Sequence, residues 1–94
     1  MKTIPGYMTN LVKHYNNCYT IEFYTCKTEN ANPKIVRSYK EINESEAERI
    51  MLKANIDQDE LEMAFEALAL EDNLVANFGM FGTFLTTFKR QVVH

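Results

Sequence analysis

Any chemistry in this chain has few side chains to draw on. The cysteines are Cys18 and Cys26, the serines Ser38 and Ser45, and the histidines His14 and His94. A nucleophilic thiol needs an imidazole within hydrogen-bond reach. Only His14, four residues before Cys18, stands near enough in sequence, and spacing alone does not make a dyad. Neither serine lies in the strained Gly-x-Ser-x-Gly turn that exposes a hydrolase nucleophile. The FGMFG stretch (78–82) lacks the Lys and Ser/Thr of a phosphate loop, and no HExxH is present. DQDELEMAFEAL (57–68) has no glycine at the sixth position of a calcium loop. Two cysteines without a histidine at ligand spacing make a poor zinc site. If residues 17–27 form one strand, the thiols lie roughly 26 Å apart at ~3.3 Å per residue, too far for a disulfide. No catalytic residue, metal site or cofactor is expected, and the chain reads as a non-enzyme.

Charge is the stronger signal. The stretch IDQDELEMAFEALALEDN (56–73) carries seven carboxylates and no basic residue. Residues 1–40 hold six basic and two acidic residues, 41–72 hold eleven acidic and two basic, and 73–94 add two basic. The overall charge of −3 therefore hides an acidic pole between two basic stretches. Asp57 and Glu60 suit a helix N-terminus, where carboxylates complement the dipole. Asp59, Glu62 and Glu66 fall at spacings of 3 and 4 as one like-charged row, which costs an isolated helix a few tenths of a kcal/mol per pair. Glu71 and Asp72 sit at the negative end of the same helix, where the dipole disfavours them. Carboxylates recurring every ~5 Å along a helix have a charge spacing of the same order as phosphates on one DNA strand. An acidic surface of this kind suits a basic partner, including a protein that normally holds nucleic acid. The residues assigned to it are Glu44, Glu48, Asp59, Glu62, Glu66, Glu71 and Asp72.

The other pole supports an alternative. Lys27, Lys34, Arg37 and Lys40 lie among Tyr19, Tyr24 and Tyr39, and cations interleaved with aromatics can track a nucleic-acid backbone and stack bases. Against this stand a pI of about 5.3 and the small number of charges. Lysines also blunt the edges of hairpins.

These residues must be positioned by one domain spanning 1–94, since the length leaves no room for a second. An apolar fraction of 46% and eleven aromatics indicate a folded globule. No apolar run reaches the ~20 residues of a membrane span, and the N-terminus lacks a signal-peptide core. The expectation is a soluble cytoplasmic protein, in the host cytoplasm if viral.

Local patterns predict an α+β fold, a β-hairpin packed on a small bundle of helices. Tyr7, Met8, Leu11, Val12 and Tyr15 share a helical face behind Pro5, which predicts a short N-terminal helix over 5–15. Residues 17–41 alternate as two strands around an Asn/Pro-containing turn, an antiparallel hairpin. A helical hairpin follows over 43–71. Asn43 with Glu46 and Asp57 with Glu60 have capping-box spacing, Ile56 and Leu61 fit a hydrophobic staple, and Asn55 can end the first helix in a left-handed conformation. The last segment, 73–91, reads two ways. Leu74, Phe78, Phe81, Leu85, Phe88 and Val92 recur at 4, 3, 4, 3, 4, which favours a C-terminal helix. Its Phe, Thr and Val content with Gly79 and Gly82 fits a bulged strand. The apolar faces of 61–70 and 74–92 exceed what a short chain buries, so a homodimer is expected. Small size, segregated charge and missing catalytic motifs together suggest a protein-interaction or inhibitor protein, by analogy with compact phage-type antagonists. It would act as a DNA mimic if its partner is a nucleic-acid-binding protein.

Overall fold

The structure, a computed structural model, describes residues 7–25, 34–79 and 81–90. Within them the chain forms β1 (Tyr7–Tyr15), β2 (Cys18–Thr25), β3 (Lys34–Ile42), α1 (Glu44–Lys53), α2 (Gln58–Leu68), β4 (Leu74–Phe78) and β5 (Phe84–Lys89). The strands make one antiparallel sheet in the order β3-β2-β1-β4-β5. Both helices belong to the connection from edge strand β3 back to β4, beside the central β1. The fold is mainly sheet, and this overturns the expected hairpin on a helical bundle.

Two segments account for the change. Residues expected as an N-terminal helix form β1, which pairs with β2 and β4. Leu11 and Val12 are both fully buried although they point to opposite faces. A strand covered on both faces loses its period of two, and adjacent apolar pairs then mimic a helical stripe. Asn16 and Asn17 make the β1–β2 turn, with Asn17 in the left-handed conformation (φ 59°) that asparagine tolerates. The expected C-terminal helix over 73–91 is instead the hairpin β4–β5. Leu74, Ala76 and Phe78 alternate inward, and the chain then turns through Gly79–Thr83. Gly82 has φ +79°, and a Cβ there would stand 3.0 Å from the Asn55 carbonyl oxygen. The spacing of Leu74, Phe78, Phe81, Leu85 and Phe88 thus joins two strands across a turn, and Phe81 is 83% exposed. Val92 and Pro5 lie outside the described residues.

The helices begin where their caps place them. The Asn43 side chain accepts from the Glu46 N–H at 2.8 Å, and Asp57 accepts from the N–H groups of Asp59 and Glu60. Asn55 (φ 68°) turns the chain between them. Ala47 and Met51 of α1, with Leu61, Ala64 and Leu68 of α2, pack on one face of the sheet against Leu11, Tyr19, Ile21, Leu74, Ala76 and Phe78. Tyr19 meets the Phe65 ring edge-on, 5.4 Å between centroids. Burial, with Glu44 beside it, pushes the Tyr19 hydroxyl pKa up to about 12.

Both edge strands are bulged. In β3, Val36 is an extra residue, and Lys40 and Glu41 together oppose Thr20; in β5, Leu85 is extra. Bulges of this kind twist an edge away from further pairing. Glu41 carries φ +56°, a left-handed conformation unfavourable for a side chain without asparagine's local hydrogen bonding.

Candidate functional site

The acidic residues divide into those used by the fold and those left outward. Glu44 accepts a 3.4 Å hydrogen bond from the Tyr19 hydroxyl, and Glu46 pairs with Arg49. Glu60 does not close a capping box. Its Oε1 accepts the Phe84 N–H at 2.7 Å, fastening the start of α2 to β5. Glu71 and Asp72, which the helix dipole disfavours, face two lysines. Glu71 pairs with Lys89 at 2.5 Å, and Asp72 lies 3.6 Å from the Lys13 Nζ.

Lys13 explains this end of the helix. It is 4% exposed in the central strand, and its ammonium donates to the carbonyls of Leu68 (3.0 Å) and Glu71 (3.3 Å). The Leu68 carbonyl is in the last turn of α2 and the Glu71 carbonyl lies three residues beyond it, and a cation is favoured at this end of a helix. The two acids at the negative end are therefore balanced by lysines from β1 and β5.

Five of the seven assigned acids have no cation partner among the described residues: Glu44, which is held by the Tyr19 hydroxyl, and Glu48, Asp59, Glu62 and Glu66. Glu48 is half-buried on α1. Asp59, Glu62 and Glu66 are exposed on the outer side of α2, where Glu62 receives only a 3.5 Å contact from Gln58. Met63 (47% exposed) lies within this row, and Leu70 (82%) lies just beyond α2. The outer side of α2 is thus acidic with apolar side chains between the charges.

The basic and aromatic residues of the β2–β3 hairpin do not share one surface. Arg37 and Tyr39 pair with Phe23 and Ile21, which places them on the helix-bearing side. Tyr24 points the other way, and its hydroxyl donates to Glu22 at 2.9 Å. Lys34 and Lys40 are exposed on the β3 edge, and Lys27 lies outside the described residues. Tyr24 and Tyr39 therefore cannot form one stacking platform.

The face of the sheet opposite the helices carries a polar cluster that no sequence motif marks. Glu22 receives Arg90 at 3.0 and 3.3 Å and Tyr24 at 2.9 Å, and Asn77 donates to Asn10 at 2.7 Å. Burial alone would raise the Glu22 pKa. Hydrogen bonds from Arg90, Tyr24 and Asn10 together outweigh it and hold the carboxyl below its ordinary value. The Tyr24 hydroxyl is raised by burial and by Glu22. These groups satisfy one another, as a structural network does. The His14 Nε2 lies 2.8 Å from the Thr20 hydroxyl, so that nitrogen is engaged with Thr20. Cys18 is free, and Cys26 lies outside the described residues. Among the described residues no three His, Cys, Asp or Glu side chains cluster to hold a metal ion. None of the helices there is long and apolar enough to cross a membrane.

Comparison with known proteins finds no matching family model, no matching curated protein and no matching solved structure.

Proposed function

We propose that this chain is a non-enzymatic interaction protein that docks a basic partner protein on the outer side of α2. The reading rests on one observation. Asp59, Glu62 and Glu66 stand exposed in a row without a cation partner among the described residues, while Glu44, Glu46, Glu60, Glu71 and Asp72 are all engaged within the fold. A row of like charges slightly opposes helix formation, so stability alone does not account for it. Exposed Met63 and Leu70 add what charge lacks: apolar area that becomes buried on docking. Charge then steers and orients the encounter, and the apolar contacts slow dissociation.

The row is short. From Asp59 to Glu66 the helix rises about 10 Å. That length matches a small basic patch with an apolar centre better than a long nucleic-acid groove. A partner that normally holds nucleic acid belongs to this class, and inhibition would follow from occupying its basic site. Blocking a basic site in this way is the action of a compact, phage-type antagonist.

The test compares capture from bacterial lysate by the wild-type chain and by the Glu62→Lys/Glu66→Lys variant. The reading expects a basic protein that the wild type retains, the variant loses and added DNA displaces. Identical capture by the two chains overturns it. Circular dichroism of the variant shows whether the fold is kept, as expected for exposed positions.

A further inference from the structure

Away from α2, a groove of about 400 Å³ opens between α1 and the β2–β3 hairpin. Small-ligand sites commonly run from roughly 300 to 1,000 Å³ and combine an apolar body with a few placed polar groups. This groove has that composition. Its apolar part is made by Phe23, Tyr39 and Ile50, all half-buried, with the Phe23 and Tyr39 rings edge-to-face at 6.3 Å. Its polar part is Arg37, Arg49, Lys53 and a single carboxylate, Glu46. Three cations against one acid give a locally positive site on a chain of net charge −3.

The cations are differently placed. Arg49 is paired with Glu46. The Arg37 guanidinium donates to the Tyr39 hydroxyl at 3.3 Å, which holds it beside the ring. Lys53, in the last turn of α1, has no carboxylate partner among the described residues. A guanidinium fork suits the oxygens of a phosphate, and an ammonium adds a point charge. Half-exposed aromatic rings suit a flat ring system that can stack or pack edge-on.

We propose that this groove binds a nucleoside phosphate, with the base against Phe23 and Tyr39 and the phosphate among Arg37, Arg49 and Lys53. The site is separate from the acidic row on α2 and stands or falls independently of it. The same chemistry is offered by a free mononucleotide and by one nucleotide of a single strand.

The experiment is a two-dimensional amide NMR titration of the full chain with adenosine monophosphate, adenosine, inorganic phosphate and a short single-stranded oligonucleotide. Adenosine monophosphate is expected to shift Phe23, Tyr39 and Ile50 saturably, with a dissociation constant near or below about 1 mM. Adenosine and inorganic phosphate should each bind at least about tenfold more weakly. Arg37→Glu and Lys53→Glu, both exposed positions, should each weaken binding by about tenfold while leaving the dispersed spectrum intact. If the oligonucleotide shifts the same residues at lower concentration, the source is a single strand. If only the mononucleotide does so, the source is the free ligand. The proposal is overturned by no saturable shift at these residues, by an equal response to inorganic phosphate or adenosine, or by charge reversals without effect.

Discussion

Lys13→Met removes one ammonium and keeps nearly the whole side-chain volume, so its cost isolates what that charge does. The Nζ makes two hydrogen bonds to carbonyls at the end of α2 and lies near Asp72, with the side chain 5% exposed. Hydrogen bonds involving a charged group contribute about 1.5–3 kcal/mol, and a buried carbonyl left without a donor costs about 1–3 kcal/mol. The helix-end charge adds up to ~2 kcal/mol in partly buried geometry. Relief of the buried ammonium's desolvation offsets part of this. A net loss of about 2–3 kcal/mol is expected, or roughly 10–20 °C in Tm for a domain of this size. Urea denaturation followed by far-ultraviolet circular dichroism measures it. Lys89→Met is the control, because its pair with Glu71 is about half exposed on both sides, where ion pairs contribute ~0–1 kcal/mol. If Lys13→Met costs no more than Lys89→Met, the account of the α2 C-terminus is wrong.

Three further outcomes are expected. Gly82→Ala should destabilise by about 2 kcal/mol in urea, because it combines a positive φ with a Cβ 3.0 Å from the Asn55 oxygen; an unchanged midpoint contradicts the close approach of the two turns. The Glu22 pKa is lowered in the fold, so its contribution is present above the ordinary glutamate value of about 4.3 and is lost as pH falls through the folded value. Glu22→Gln should therefore flatten the loss of stability below about pH 5, read as the urea midpoint against pH. Self-association should use side chains of β5 and the turn before it, where Phe81, Leu85 and Phe88 are exposed, rather than pairing of the bulged edge; we expect sedimentation at micromolar concentration to show a dimer that Leu85→Lys dissolves, and a strictly monomeric wild type contradicts this.

Local signals sufficed where an element's structure depends on its own residues. Asn43, Asn55 and Asp57 act at the helix ends, and the inward residues Ala47, Met51, Leu61, Ala64 and Leu68 are buried. The strands of 18–25 and 34–42 also form the expected antiparallel pair, although bulges in the second put Tyr39 and Ile42, which its alternation separates, on the same face. Elements whose environment is set by distant partners were not legible. β1 is buried on both sides, so Leu11 beside Val12 reads as a helical pair. The β4–β5 hairpin places apolar residues at heptad spacing only because its turn has the matching length.

The same division runs through the site. Glu71 and Asp72 look unexplained in sequence because Lys13 and Lys89 lie 58 and 18 positions away from Glu71. Glu60 looks like a capping-box acid until Phe84 offers it a better-placed N–H. Subtracting these contacts sharpens the acidic pole to three residues on α2 and two apolar neighbours. The groove beside α1 left no motif, since its lining comes from three separate elements, with only Phe23 contributed by β2.

The most direct test of the docking face is the affinity of the captured basic protein for the wild-type chain and for Asp59→Lys/Glu62→Lys/Glu66→Lys, measured by calorimetry at low and physiological salt. Loss of three charge contacts and their reversal should weaken binding by at least about a hundredfold at low salt, with a smaller difference as salt rises. Equal affinities for the two chains would contradict the assignment of this face.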